Sequence, residues 1–343
     1  MATTAHASNT ANVSNTKGYY IALLCSVILS TTGVFIRYLT EHYNMPPLAI
    51  AFWRDAFTAI VVLAALLLIR PALIRVRRAD LLFLSAFGLV LALFNILWTV
   101  SVWYNGASVA TALVYSSAVF TVLLGCLFLK ERFYFAKLLA VILCLSGCFL
   151  VSGTIGGSPW NSGAAGISIG LLSGLSYAGY SLMGRLASRR GINPWSTLLY
   201  TFLFASVALL LIILLRSCFP GANAPVAELF WLGNALPGWG VLFLLAAGPT
   251  VLGFGLYNVS LVHLSSGIVN LIATSEPAFT IIIAFFILGE KMTFVQLCGC
   301  ALILCGVAFL KIYEMIHAAQ QNGYFSKRAR PTKTAARTKS NIL

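Results

Sequence analysis

The chain has 343 residues, 60% of them apolar and only 9% charged, against roughly 45 to 50% apolar and about 25% charged in an average soluble domain. A water-soluble molecule of this composition has too few polar residues to cover its surface, which argues against a soluble enzyme and against a disordered scaffold. The net charge of +14 does not point to nucleic acid, because the Lys and Arg residues lie at the ends of long apolar runs and in the tail rather than on one folded face.

A spanning helix needs about 20 mostly apolar residues at 1.5 Å rise each. Residues 1–17 are polar, show no cleavable signal peptide and are expected to be unstructured up to residue 16, so the first span is expected to serve as the targeting signal. Ten stretches then qualify as spans: 18–39, 47–69, 80–103, 106–129, 133–152, 165–187, 194–216, 238–261, 265–289 and 292–315. Turn chemistry separates them at Met45-Pro46-Pro47, Asn105-Gly106, the run Gly153 to Gly163, Asn193-Pro194 and Pro237-Gly238. The spans group into an 18–152 unit, a linker over 153–164 and a 165–315 unit, followed by a basic tail over 316–343. From Lys327 to Lys339 that tail holds six basic residues and no acid, and is expected to be disordered and drawn to anionic lipid by about 1 kcal/mol per charge.

Seven of the eight cysteines (Cys25, Cys126, Cys144, Cys148, Cys298, Cys300 and Cys305) fall in apolar runs, leaving Cys218 in a polar loop. They read as small core hydrophobes rather than a disulfide framework. Cys298 and Cys300 lack a second ligand pair and the four histidines are scattered, so neither a metal nor a cofactor is expected. Orientation follows from alternate connections, one set carrying eighteen basic residues and the other only Arg37, Arg216 and Lys291. That bias puts both termini in the cytoplasm.

An internal repeat sets the architecture. A shift of 159 lays residues 115–147 on 274–306 with ten identities in 33 positions, among them Ser116 on Ser275, Glu131 on Glu290, Phe135 on Phe294 and Gly147 on Gly306. A shift of 148 relates the earlier parts, laying Gly18 on Gly166, Arg37 on Arg185 and Pro46 on Pro194. Each half holds five spans, and because five is odd the second half enters the membrane from the opposite face. The expected fold is therefore an all-α membrane protein of ten transmembrane helices in two inverted five-helix repeats, an arrangement from which many secondary transporters obtain two conformations open to opposite sides.

The segments Leu129-Lys130-Glu131-Arg132 and Leu288-Gly289-Glu290-Lys291, each followed by a helix reaching Ser146-Gly147 or Cys305-Gly306, resemble the twin modules of EamA-type carriers in the drug/metabolite transporter superfamily. Ser275-Glu276-Pro277-Ala278-Phe279 is similar to that family's Glu-Pro motif in the ninth helix. The resemblance covers roughly residues 18–311 and implies a ten-helix carrier, not an enzyme, that exports or takes up small organic solutes such as an amino acid or related compound. The first repeat has Ser117-Ala118 in place of Glu276-Pro277, so a bend in the fourth span has no proline to impose it. Without a Gly-x-x-x-x-Gly-Lys-Ser/Thr stretch, the energy is expected from a gradient or from exchange across a cytoplasmic (inner) membrane. Two alternatives stand beside this: a nucleotide-sugar-like exchanger, if Arg54 and Arg37 contact phosphate, and a membrane-embedded enzyme acting on lipid.

Charges inside a membrane mark candidate sites by default. Glu276 lies 11 residues, about 16 Å, into the ninth span and near the midplane. It reads either as a proton-coupling carboxylate or as a group that satisfies the backbone freed by Pro277. Arg54, beside Trp53 in the second span, reads as a fork for a substrate carboxylate or phosphate, or as a snorkelling anchor. Asp55 points about 100° away and is expected to be a separate interfacial or capping acid. Asn95, Trp98, Tyr115, Tyr177, Tyr180, Tyr257, Asn258 and Asn270 place amide and aromatic groups at mid-span, as a cavity for an amphipathic solute requires, although each alone is as well explained by packing. Glu131 and Glu290 read as interfacial ion pairs or caps. Gly170 and Gly174 form a step for close helix approach, from the same chain or from a second copy in a homodimer.

Overall fold

The computed structural model describes residues 2–130, 134–151, 164–217, 225–288 and 293–328, and every regular element among them is helical. Glu131, Arg132, Gly289, Glu290, Lys291, Cys218, the run 153–163 and the tail beyond residue 328 lie outside the described residues. In chain order the helices are α1 (Ala2–Ser30), α2 (Thr32–Tyr43), α3 (Pro47–Ile69), α4 (Arg78–Val114), α5 (Ser117–Leu129), α6 (Phe135–Val151) and α7 (Ala164–Arg189). There follow α8 (Pro194–Ser217), α9 (Pro225–Leu229), α10 (Leu236–Leu245), α11 (Val251–His263), α12 (Ser266–Ala273), α13 (Glu276–Leu288) and α14 (Phe294–Arg328). A π-helical turn, Ala246–Thr250, carries Pro249 and joins α10 to α11, and the Thr250 hydroxyl donates to the Leu245 carbonyl at 2.8 Å.

Turn residues end the helices as their chemistry dictates. Asn44 closes α2 in the left-handed region at φ 48°, and Pro47 opens α3. Gly191 ends α7 at φ 74°, after which Ile192 N–H returns to the Ala187 carbonyl and Asn193 caps α8 through Trp195 N–H at 2.9 Å.

Two expectations fail in backbone detail. The N-terminal segment is helical from Ala2, although Thr, Asn and Ser outnumber Ala in it, and α14 runs beyond the span limit to Arg328. More consequential, α4 runs unbroken through Asn105-Gly106. Glycine costs a helix only about 1 kcal/mol, less than leaving backbone groups unsatisfied in an apolar surrounding.

Among the described residues, four helical stretches are long and apolar enough to cross a membrane: Pro47–Ile69, Arg78–Ser101, Pro194–Arg216 and Leu236–His263. Shorter apolar helices are Thr16–Ser30, Ser117–Leu129, Phe135–Leu150 and Leu297–Leu310. Several are short because a span is interrupted. Ser30 and Thr31 bond back to the Val27 and Ile28 carbonyls at 2.6 and 2.7 Å, where α1 gives way to α2. Thr274 and Ser275 do the same to Leu271 and Ile272 between α12 and α13. Each hydroxyl takes a carbonyl that the continuing helix would have used, so the chain can turn without leaving that group bare. The fourth span also breaks, at Tyr115-Ser116 between α4 and α5, without a proline.

The shift of 159 reappears in the backbone. Helices α5 and α13 start at Ser117 and Glu276 and end at Leu129 and Leu288, and α6 and α14 start at Phe135 and Phe294. Packing is reciprocal where α6 crosses α14. A Cβ on Gly147 would lie 2.6 Å from Ile303 and 2.7 Å from the Gly299 carbonyl, while one on Gly306 would meet Cys144 at 2.8 Å and the Ala140 carbonyl at 3.2 Å. Residues 299, 303 and 306 are 140, 144 and 147 advanced by 159, so each helix offers the other the same face, as a two-fold relation requires. The most extensive packing also joins one half to the other: α4 with α7 and α8, α1 with α11, and α3 with α8. The halves are interleaved around one core that includes Phe87, Leu91, Tyr180, Phe202 and Leu271.

Candidate functional site

The site residues fall into separate groups. In the first, Arg54 of α3 reaches its own neighbour, Nε lying 3.3 Å from Asp55 Oδ1. Asn95 of α4 closes the ring, accepting from Arg54 Nη2 at 2.8 Å and donating to Asp55 Oδ2 at 2.7 Å. The expectation for Asp55 is thereby corrected: it is fully buried and paired with Arg54, because the guanidinium stem is long enough to bend across the 100° between adjacent positions. A cavity of about 70 Å³ opens beside this triad, with Trp98 and Thr99 also in its wall. Trp53 is not part of that lining. Its indole donates to the Leu229 carbonyl at 2.7 Å and its ring meets Trp239 at 5.1 Å, so it fastens α9 to α3.

The second group lies where the interrupted spans meet. Tyr115, in the break before α5, donates its hydroxyl to Glu276 Oε2 at 2.7 Å, and Glu276 opens α13. The negative group thus sits at the positive end of a helix. Its carboxylate is engaged with Tyr115 in the other half of the chain, while the carbonyls at the break are met by the Thr274 and Ser275 hydroxyls. Nearby, the Thr280 hydroxyl reaches the Ser30 carbonyl at 3.2 Å, so the α1 break belongs to the same region.

A third group is a chain of hydrogen bonds through four helices. Ser117 donates to Asn270 Oδ1 at 3.0 Å, Asn270 Nδ2 donates to Ser181 at 2.9 Å, and the Ser181 and Tyr257 hydroxyls lie 2.6 Å apart. Tyr177 stands between this chain and α4, 6.1 Å from the Tyr257 ring and 5.0 Å from Phe94, the neighbour of Asn95. Tyr180 is fully buried between Phe87 and Phe254, and its hydroxyl and the Asn258 amide have no hydrogen-bond partner among the described residues.

Ser117 and Ser181 were not anticipated. The repeat held the clue to Ser117, which is the counterpart of Glu276 under the shift of 159. Lys137, counted with the cytoplasmic loop cations, is buried at the start of α6 with its Nζ 5.7 Å from the Tyr134 ring centre. The small step at Gly170 and Gly174 serves this chain: added Cβ atoms there would lie 2.5 Å from Leu113 and from the Ser116 hydroxyl. Of the apolar-run cysteines, Cys25, Cys144, Cys148 and Cys300 are buried and point their thiols at the carbonyls of Gly253, Ile303, Thr274 and Ala278, whereas Cys298 and Cys305 are exposed and so depart from the core-hydrophobe expectation. Among the described residues no group of His, Cys, Asp and Glu could hold a metal ion. What the arrangement offers is a phenol-to-carboxylate hydrogen bond between the two halves and a set of hydroxyl and amide groups able to hydrogen-bond a polar solute.

Comparison with known proteins bears on the family and the fold. The sequence model of the EamA-like transporter family matches twice, over residues 16–153 and 164–312. An uncharacterized transporter of Archaeoglobus fulgidus is 29% identical over 290 residues, 83% of this chain and 93% of that protein. A protein of Salmonella typhimurium named a probable amino-acid metabolite efflux pump is 26% identical over 306 residues, 85% of this chain and 93% of its own length. A crystal structure with a TM-score of 0.69 and 15% identity covers 87% of this chain and 98% of its own, a likeness of fold.

Proposed function

The chain belongs to the EamA-like transporter family, and from that premise we propose that it is a secondary active carrier, an exporter of a small polar or amphipathic metabolite such as an amino acid or related compound. It is an integral membrane protein. In this reading ten membrane passes form two inverted repeats in a cytoplasmic (inner) membrane with both termini inside, and transport proceeds by alternating access. The observation that carries it is the Tyr115–Glu276 bond, which joins the interrupted spans of the two halves at the point where they meet. A contact of that kind is made or broken when the halves move relative to one another, so occupancy of the site and conformation are coupled. Glu276 is the proton-coupling group, and Asn270, Tyr257 and Tyr177 are the polar and aromatic wall of the solute path.

Reconstitution in liposomes with labelled amino acids and related metabolites tests the proposal. Accumulation that collapses with the proton gradient is the expected result. Turnover of a covalent bond in lipid, with no solute flux, would overturn it.

A further inference from the structure

The cavity at Arg54 has a chemistry of its own. Arg54 is 8% exposed, and two of its nitrogens are committed: Nε to Asp55 and Nη2 to Asn95. Nη1 has no hydrogen bond among the described residues, and Arg54 lines the cavity. Thr99, 8% exposed in the same wall, also has a hydroxyl with no hydrogen bond among the described residues. Neither Arg54 Nη1 nor the Thr99 hydroxyl is among the fully buried polar atoms left without a partner, so both are reachable and can donate to an incoming oxygen. Thr40 and Asn95 also line the wall, and the rest of it is apolar, including Ile36, Ile50 and the ring of Trp98.

We propose that this cavity is a docking subsite for the carboxylate end of a small amphipathic solute, with Arg54 as its anchor and Thr99 as a second donor. It stands about 10 Å along α3 from the helix start and apart from the Tyr115–Glu276 contact. The charge balance sets the ligand class. Asp55 already offsets the guanidinium, so the cluster accommodates a single negative charge better than a doubly charged phosphate. Both Asp55 oxygens are taken by Arg54 and Asn95, and the residue is fully buried. Asp55 is also absent from the cavity wall, so no carboxylate faces an ammonium group, and the subsite reads the acid and ignores the amine: a 2-keto acid docks as well as the amino acid of the same skeleton. The inference rests on the carrier reading above for its purpose, but not for its test.

The test is binding to the purified full-length chain, with radiolabelled 2-ketoisovalerate displaced by valine, by unlabelled 2-ketoisovalerate or by isobutylamine. Displacement by the two acids within a few-fold of each other, and none by the amine, is the expected result. Arg54→Lys should weaken binding of the labelled acid at least tenfold, because a point charge replaces a fork. Thr99→Val, whose lost hydroxyl has no hydrogen bond among the described residues, should weaken it a few-fold and serves if Arg54→Lys does not fold. Absence of binding to the wild-type chain, equal displacement by the amine, or unchanged binding in both variants overturns the subsite. A chain that moves solute in liposomes yet fails these criteria loses the subsite and keeps the carrier reading. One that binds the acids through Arg54 but supports no flux loses the carrier reading alone.

Discussion

At the scale of single residues, Glu276 gives the sharpest expectation. Its carboxylate accepts from Tyr115. If Glu276 is the proposed coupling group, Glu276→Gln should abolish uptake driven by a proton gradient while leaving gradient-free exchange of substrate, and if it only supports the helix break both activities should persist. The amide fills the same volume and can still accept from the phenol, but it cannot ionise. Wild-type proton-driven flux in this variant, at matched protein levels in the same vesicles, would exclude the coupling role. Asp55→Ala is expected to act through stability. It strands the buried Arg54, a loss of about 3 to 5 kcal/mol, whereas Trp53→Phe gives up one neutral hydrogen bond to Leu229, about 1 kcal/mol. Melting of the purified variants should rank them in that order. The sequence marked Arg54 and Glu276 because charge inside an apolar run stands out. It misplaced Asp55 because side-chain reach is not visible in residue spacing, and it passed over Ser117 and Ser181 because serine in a span is common and acquires meaning only from what lies opposite.

At the scale of helices, the crossing of α6 and α14 depends on absent side chains. Gly147→Ala drives a methyl into the backbone of the facing helix and should cost about 1 to 3 kcal/mol. Gly306→Ala meets mainly a cysteine thiol and should cost less, and Gly240→Ala, with nothing within 4 Å, should be neutral or slightly stabilising. Equal melting temperatures for the Gly147 and Gly240 variants would show that the helices can separate without penalty. Most helices were legible from long apolar runs and from Pro, Gly and Asn at their ends, but the Asn105-Gly106 pair marked an end where α4 continues. The interruptions were legible only where proline announced one. At Ser30-Thr31 and Tyr115-Ser116 the device is a hydroxyl taking a carbonyl or a tight turn, which local composition does not single out from an ordinary polar residue in a helix.

At the scale of the whole molecule, the eighteen-to-three bias in basic residues fixes an expectation for topology. On a cysteine-depleted background, Asn234→Cys in the exposed turn before α10 should react with an impermeant reagent from outside, and Arg189→Cys only after permeabilisation; the reverse pattern would invert the protein in its membrane. One departure from symmetry carries a further consequence. The second half breaks at Leu264-Ser265, between α11 and α12, yet the residues 159 positions earlier are Asn105-Gly106, where α4 is continuous. Two copies of one blueprint have here been caught in unlike poses: the second half turns between its third and fourth spans, whereas the first keeps the equivalent residues helical. The repeat implies a pose in which α4 also bends at Asn105-Gly106, and the unspent Asn-Gly pair is then a hinge waiting its turn. Gly106→Ala should stiffen it by about 1 kcal/mol, which tilts a two-state balance roughly fivefold toward the pose seen here. Turnover should fall while solute binding to this pose holds or tightens, and an unchanged transport rate would mean that the cycle proceeds without bending at that point.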